Sequence, residues 1–190
     1  MATTTSDIRN GLTIVWNGGL WTVIEFLHVK PGKGPAFVRT KLKNVRNGKQ
    51  VDNTFRAGER LETARIERRV MQYLYEDEVG LHFMNTETYD QITLQKSLVS
   101  GKEFIKEGSN VDVLVDAGTE ESLSVEIPRH VELIITETDP GLKGDTATGA
   151  TKPATLEGGA VVNVPLFLNE GDLIRVDTTT GAYQTRVNAA

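Results

Sequence analysis

Short runs in which apolar and polar residues alternate, separated by turns rich in glycine, recur along this whole chain. Leu12-Thr13-Ile14-Val15-Trp16 reads as a strand, and Asn17-Gly18-Gly19 as a hairpin turn, because these residues accept positive φ. Leu20 to Val29 is a second strand and Phe37 to Val45 a third. In the third, the period of two puts Val38, Thr40 and Leu42 on one face and Arg39, Lys41 and Lys43 on the other. Arg46-Asn47-Gly48-Lys49 turns the chain into Gln50 to Phe55, and Ala57-Gly58-Glu59 breaks it before a strand from Leu61 to Glu67. The residues before Leu12 read as a polar leader. No helical period interrupts this third of the chain, which predicts a small SH3-like barrel.

The same style continues. Val70 to Tyr75, Leu81 to Met84, Tyr89 to Leu94, Val111 to Val115 and Leu123 to Ile127 form a five-strand set, with one or two helical turns between Ser97 and Ile105. Five short strands with one small helix suit an oligonucleotide-binding (OB) barrel. Pro128 marks the next boundary, since it cannot donate to a ladder. His130 to Thr138, Ala160 to Phe167, Leu173 to Asp177 and Ala182 to Val187 supply a third β unit, interrupted by a long Gly/Thr/Asp-rich loop from Asp139 to Ala150. The prediction is an all-β chain of three small barrels, at residues 1–65, 66–127 and 128–190. The second and third are small enough to need support, so a tightly packed junction is expected, placed between the first and second.

Composition narrows the function classes. Hydrophobic residues make up 38% of the 190, yet no apolar run approaches the roughly 20 residues of a membrane span. Met-Ala-Thr-Thr-Thr-Ser-Asp lacks the basic and apolar regions of a signal peptide, so a cytoplasmic protein is expected. With no cysteine, disulfides, thiolate nucleophiles and sulfur-ligated metals are excluded together. The net charge of −5 conceals a segregation. Residues 1–65 carry 11 Lys and Arg against 5 Asp and Glu, whereas residues 66–127 carry 5 against 13 and residues 128–190 carry 5 against 8. A basic end can face phosphate while the acidic remainder prevents indiscriminate coating of polyanions.

That basic end centres on Lys30-Pro31-Gly32-Lys33-Gly34-Pro35-Ala36, which joins the second and third strands. Two glycines and two prolines around Lys33 predict a tight, stiff tip with nothing bulky beside the ammonium group. Arg39, Lys41 and Lys43 form a stripe next to it, suited to sequence-independent phosphate contacts. Little points to catalysis. His28, His82 and His130 lie on separate strands without metal-ligand spacing, and each reads as a partly buried strand residue. Gly32-Lys33-Gly34 lacks the spacing and the following Ser/Thr of a P-loop, and no serine sits in a nucleophile elbow. A protein without enzymatic activity, metal or cofactor is expected.

Four segments, in order, resemble bacterial translation elongation factor P. They are Pro31-Gly32-Lys33-Gly34, Arg39-Thr40-Lys41-Leu42-Lys43-Asn44, Met84-Asn85-Thr86-Glu87-Thr88-Tyr89, and a C-terminal signature. The signature runs Lys152-Pro153-Ala154, Gly159, Val162-Asn163-Val164-Pro165-Leu166-Phe167-Leu168 and Gly171. The resemblance implies a KOW-type SH3-like domain followed by two OB domains, in an L-shaped, tRNA-like arrangement. It implies a monomer that enters the ribosome beside peptidyl-tRNA, contacts both subunits, and relieves stalling at consecutive prolines. Lys33 would reach the acceptor end of that tRNA, with Lys30, Arg39, Lys41, Lys43, Tyr183 and Arg186 near RNA and Pro31, Gly32, Gly34 and Pro35 setting the loop's shape. The loop with Gly144, Asp145, Thr146 and Gly149 would approach the exit-site codon of the mRNA.

One departure concerns Pro35. In family members whose loop lysine is extended by β-lysylation, the residue after the second glycine is commonly not proline. The second proline is therefore expected to stiffen the tip enough for an unmodified Lys33 to act. An aminopentanol-type extension, with a lysine-modifying enzyme as a further partner, is the alternative. Initiation factor 5A, which resembles the first two domains, lacks counterparts of Lys152 to Gly171. An elongation-factor-P-like paralogue and a general RNA-binding β-barrel are the competing readings.

Overall fold

The computed structural model describes residues 2–140 and 150–187. Its described strands form three sheets, and the helical content of the described residues is three single turns of 3-10 helix. The chain is thus all-β, with three β domains.

The first sheet contains β1 (Ala2–Thr4), β2 (Thr13–Trp16), β3 (Gly19–Val29), β4 (Phe37–Asn44), β5 (Gln50–Arg56) and β6 (Arg60–Thr63), in the order β1-β6-β2-β3-β4-β5. The alternation read from sequence is its folding code. Ile14, Val23, Val38, Leu42, Phe55 and Leu61 point inward with Ile8 to form one core, and Trp16 meets Trp21 edge to face at 5.4 Å. Asn17 (φ 50°) and Gly18 (φ 74°) make the two-residue turn that pairs Trp16 with Gly19. The polar leader is not a tail. Ala2–Thr4 pairs with Arg60–Glu62, and Thr5, 1% exposed, donates its hydroxyl to the Arg56 carbonyl and accepts the Gly58 amide.

The second sheet has the order β11-β10-β7-β8-β9, from β7 (Ile66–Glu76), β8 (Leu81–Asn85), β9 (Gln91–Leu94), β10 (Asn110–Asp116) and β11 (Glu121–Glu126). The expected strand from Leu61 to Glu67 is two strands, broken at residues 64–65, so that β7 starts earlier than Val70. The helical turns expected between Ser97 and Ile105 are Lys96–Leu98 and Lys102–Phe104, separated by Gly101 at φ +76°. The third sheet, β14-β13-β12-β15-β16, is built from β12 (His130–Thr138), β13 (Thr151–Leu156), β14 (Val161–Pro165), β15 (Leu173–Asp177) and β16 (Ala182–Arg186). β13 was not among the strands expected from sequence; Pro153 obscures it, yet pairs opposite Asn163.

Contacts gather the chain into two compact units, residues 1–69 with 113–124, and residues 70–112 with 125–190. In the first, Ser124 donates to the Val45 carbonyl at 2.9 Å, the Ala117 amide donates to Arg65, and Arg46 and Arg69 pair with Glu121 and Glu120. In the second, a core is shared. Phe104, from the 3-10 turn of the OB domain, is 8% exposed among Leu133, Ile135, Leu156, Val162, Ile174 and Val176. Ala160 donates to the Glu103 carbonyl, and a Cβ at Gly158 would stand 2.4 Å from that same oxygen. The close packing anticipated between the first two β units therefore has a counterpart between the second and third.

Candidate nucleic-acid interface

Strands β3 and β4 pair from Trp21↔Asn44 up to Val29↔Phe37, and residues 30–36 close the hairpin. Residues 31–35 are all exposed, so the tip stands free in solvent. Gly34 adopts φ +115°, a conformation an L-residue enters only with strain, and its nearest neighbour is the Pro31 ring. Gly32 has open space where a side chain would lie. Lys33 sits between them. Among the described residues no carboxylate pairs with Lys33 or with Lys30.

The stripe on β4 has the predicted orientation, with Val38, Thr40 and Leu42 buried and Arg39 and Lys43 exposed. Arg39 is held by an aromatic face, its guanidinium carbon 5.6 Å from the Phe37 ring centroid. Lys41 differs from its neighbours. The register places it between Glu25 on β3 and Asp52 on β5, and its Nζ is 3.8 Å from Glu25 Oε1. Two carboxylates therefore offset the centre of the stripe. Free cationic character is concentrated at Lys30, Lys33 and Arg39 near the tip and at Lys43 farther along. Sequence inspection missed Glu25, Leu27, Asp52 and Thr54, which share this face only through cross-strand pairing.

The other nominated residues lie elsewhere. Tyr183 is half-buried against the third core, and the Arg186 guanidinium is 2.7 Å from Asp172 Oδ1. Gly144, Asp145, Thr146 and Gly149 lie outside the described residues. The C-terminal signature is largely a packing code: Ala154, Val162, Val164 and Leu168 are buried, and Gly159 and Gly171 take positive φ. Lys152, 6% exposed, donates its ammonium to the Asp139 carbonyl. Of the histidines, only His82 is partly buried, its ring stacked on Tyr75 at 4.4 Å and its Nε2 2.9 Å from Asp77 Oδ2. His28 and His130 are exposed. Among the described residues there is no cluster fit to hold a metal, and no helix is long and apolar enough to cross a membrane.

Comparison with known proteins gives consistent matches along the chain. The elongation factor P KOW-like domain matches residues 4–61, the elongation factor P OB domain residues 66–120, and the elongation factor P C-terminal domain residues 131–186. The chain is 58% identical over 186 residues to elongation factor P of Salinibacter ruber, covering 98% of this chain and 97% of that one. It is 54% identical to elongation factor P 1 of Porphyromonas gingivalis, covering 97% and 98% of the two chains. It is also 54% identical to elongation factor P of Moorella thermoacetica, covering 96% and 98%. Among solved structures, eukaryotic translation initiation factor 5A from Methanococcus jannaschii aligns with a TM-score of 0.52 at 20% identity, covering 66% of this chain and 93% of that one, a likeness of fold.

Proposed function

Since the chain belongs to the elongation factor P family, and is by that membership a translation elongation factor, we propose that it binds the ribosome beside peptidyl-tRNA in the cytoplasm and speeds peptide-bond formation at consecutive prolines. The observation that carries this reading is Lys33, exposed at the end of a hairpin between two glycines and two prolines and without an ionic partner among the described residues.

The mechanism is positional. Proline is a conformationally restricted donor and acceptor, so the reacting pair lacks alignment more than it lacks an acid or a base. A stiff hairpin delivers an ammonium group to the sugar-phosphate backbone of the acceptor end with little entropy left to lose. Arg39 and Lys43 add phosphate contacts that hold the domain without reading sequence. No bond is made or broken by the protein, so it is not an enzyme, and it requires neither metal nor cofactor. Lys33 acts unmodified, with Pro35 supplying stiffness in place of a longer side chain. On this reading the partners are both ribosomal subunits, peptidyl-tRNA and the mRNA.

The test is the rate of peptide-bond formation on a message encoding consecutive prolines, with the native protein and with Lys33→Ala. The native protein is expected to raise the rate and the variant to lose most of that gain, while a message without prolines responds to neither. Equal rescue by both proteins refutes the mechanism. An adduct on Lys33 in the intact mass of protein from its native host refutes the unmodified form alone.

A further inference from the structure

The carboxylates that offset Lys41 also line a depression. Its volume is about 510 Å³, within the range of small-molecule sites, and it lies on the outer face of β3, β4 and β5. Two cross-strand rows build it: Glu25, Lys41 and Asp52 in one, Leu27, Arg39 and Thr54 in the next. The rows differ in character. Leu27 is 59% exposed, a large apolar side chain left uncovered by the fold. Arg39 beside it is steadied by Phe37, and Asp52 has no hydrogen-bond or ionic partner among the described residues. Apolar surface, an oriented guanidinium and a solvent-exposed carboxylate without a protein partner thus open on one hollow.

We propose that this depression takes one nucleotide of single-stranded RNA and favours a base carrying an exocyclic amine. The inference rests on the RNA-facing role given above to the hairpin and deepens it. The phosphate lies on Arg39, with the Thr54 hydroxyl as a second donor, and the flat face of the base covers Leu27. Asp52 then meets the base edge. A carboxylate only accepts hydrogen bonds, so it suits the amine of cytosine, adenine or guanine and opposes the carbonyl edge of uracil. A chain held only by a cationic stripe would ignore base identity. Asp52 turns part of the stripe into a reader. Continuity with the Lys33 hairpin favours RNA over a protein strand as the occupant.

The experiment titrates isotope-labelled full-length protein with r(CCCC) and r(UUUU) at low salt, following the amide signals of Leu27, Arg39 and Thr54. The native protein should bind r(CCCC) about five-fold more tightly, the effect of one charged hydrogen bond to a base. Asp52→Asn, whose amide both donates and accepts, should bring the two oligonucleotides within about two-fold of each other. Arg39→Gln should weaken both alike. Equal binding of both by the native protein, or a preference unchanged in Asp52→Asn, overturns the proposal. Shifts confined to Lys33 and Lys43, without base preference, reject the depression while leaving the RNA-facing hairpin intact. The absence of any oligonucleotide-dependent shift along the hairpin rejects both, and is the result expected if the face takes a protein strand.

Discussion

Truncating Phe104 to alanine tests whether the OB domain and the C-terminal domain share one core. The ring is 8% exposed, while most of the side chains around it are at 0–3%. It therefore sits at the margin of that core, where neighbours can partly close over a void. Phe→Ala at a buried site costs about 3–5 kcal/mol, and the marginal position argues for the lower end, about 3 kcal/mol. In a chain of this length each kcal/mol lowers the melting temperature by about 2–4 °C, which makes the expected drop about 6–12 °C for the transition that includes Phe104. Both tryptophans, Trp16 and Trp21, lie in the first compact unit, so indole fluorescence serves as an internal control. Calorimetry and amide exchange across 131–186 supply the signal, and exchange avoids assuming a single two-state transition. Phe104→Leu should retain most of the stability, since it keeps apolar volume. A loss below about 1 kcal/mol, with exchange across 131–186 unchanged, would refute a shared core.

At the tip, Gly34→Ala forces a side chain onto a backbone at φ +115° and should cost about 1–2 kcal/mol locally, whereas Gly32→Ala meets open space. Synthesis across consecutive prolines is expected to fall for the first and stay near native for the second; equal activities would remove the claim that tip geometry matters. On β7, Lys102, with Lys96, holds the Glu76 carboxyl below its ordinary value of 4.5. A depressed folded value adds stability that is complete above the unfolded value and is lost as pH falls through the folded one. The denaturant-midpoint gap between native protein and Glu76→Gln should be full well above the ordinary value of 4.5 and should shrink as pH falls below it, and a gap that stays constant on acidification would exclude the linkage.

Local pattern made the β3–β4 hairpin legible. Alternation separates Val38, Thr40 and Leu42 from the charged face, and the Pro/Gly bracket marks the tip, because both follow from neighbours in the chain. What escaped depends on partners far away in sequence. Ala2–Thr4 carries no apolar signal, and it becomes a strand because β6 offers an edge to pair with. Thr151–Leu156 is obscured by Pro153, whose missing amide weakens any strand reading. Lys41 reads as one of three equal cations until the register sets Glu25 and Asp52 on either side. Phe104 falls within the helical turns expected between Ser97 and Ile105, but nothing within residues 66–127 reveals that it packs into the core of the third sheet. Of the histidines expected to be partly buried, His82 is, while His28 and His130 are exposed.

The acidic flanks of Lys41 also bear on how long the protein stays where it binds. Among the described residues of this hairpin, Lys30, Lys33, Arg39 and Lys43 carry charge without an acidic partner. Each phosphate they meet frees roughly 0.7 of a condensed counterion on a single strand, so this short set gives a weak grip that salt loosens further, though less steeply than it would a longer stripe. If the protein acts as proposed, a weak, salt-tuned hold suits a visitor that must vacate its berth once the bond has formed.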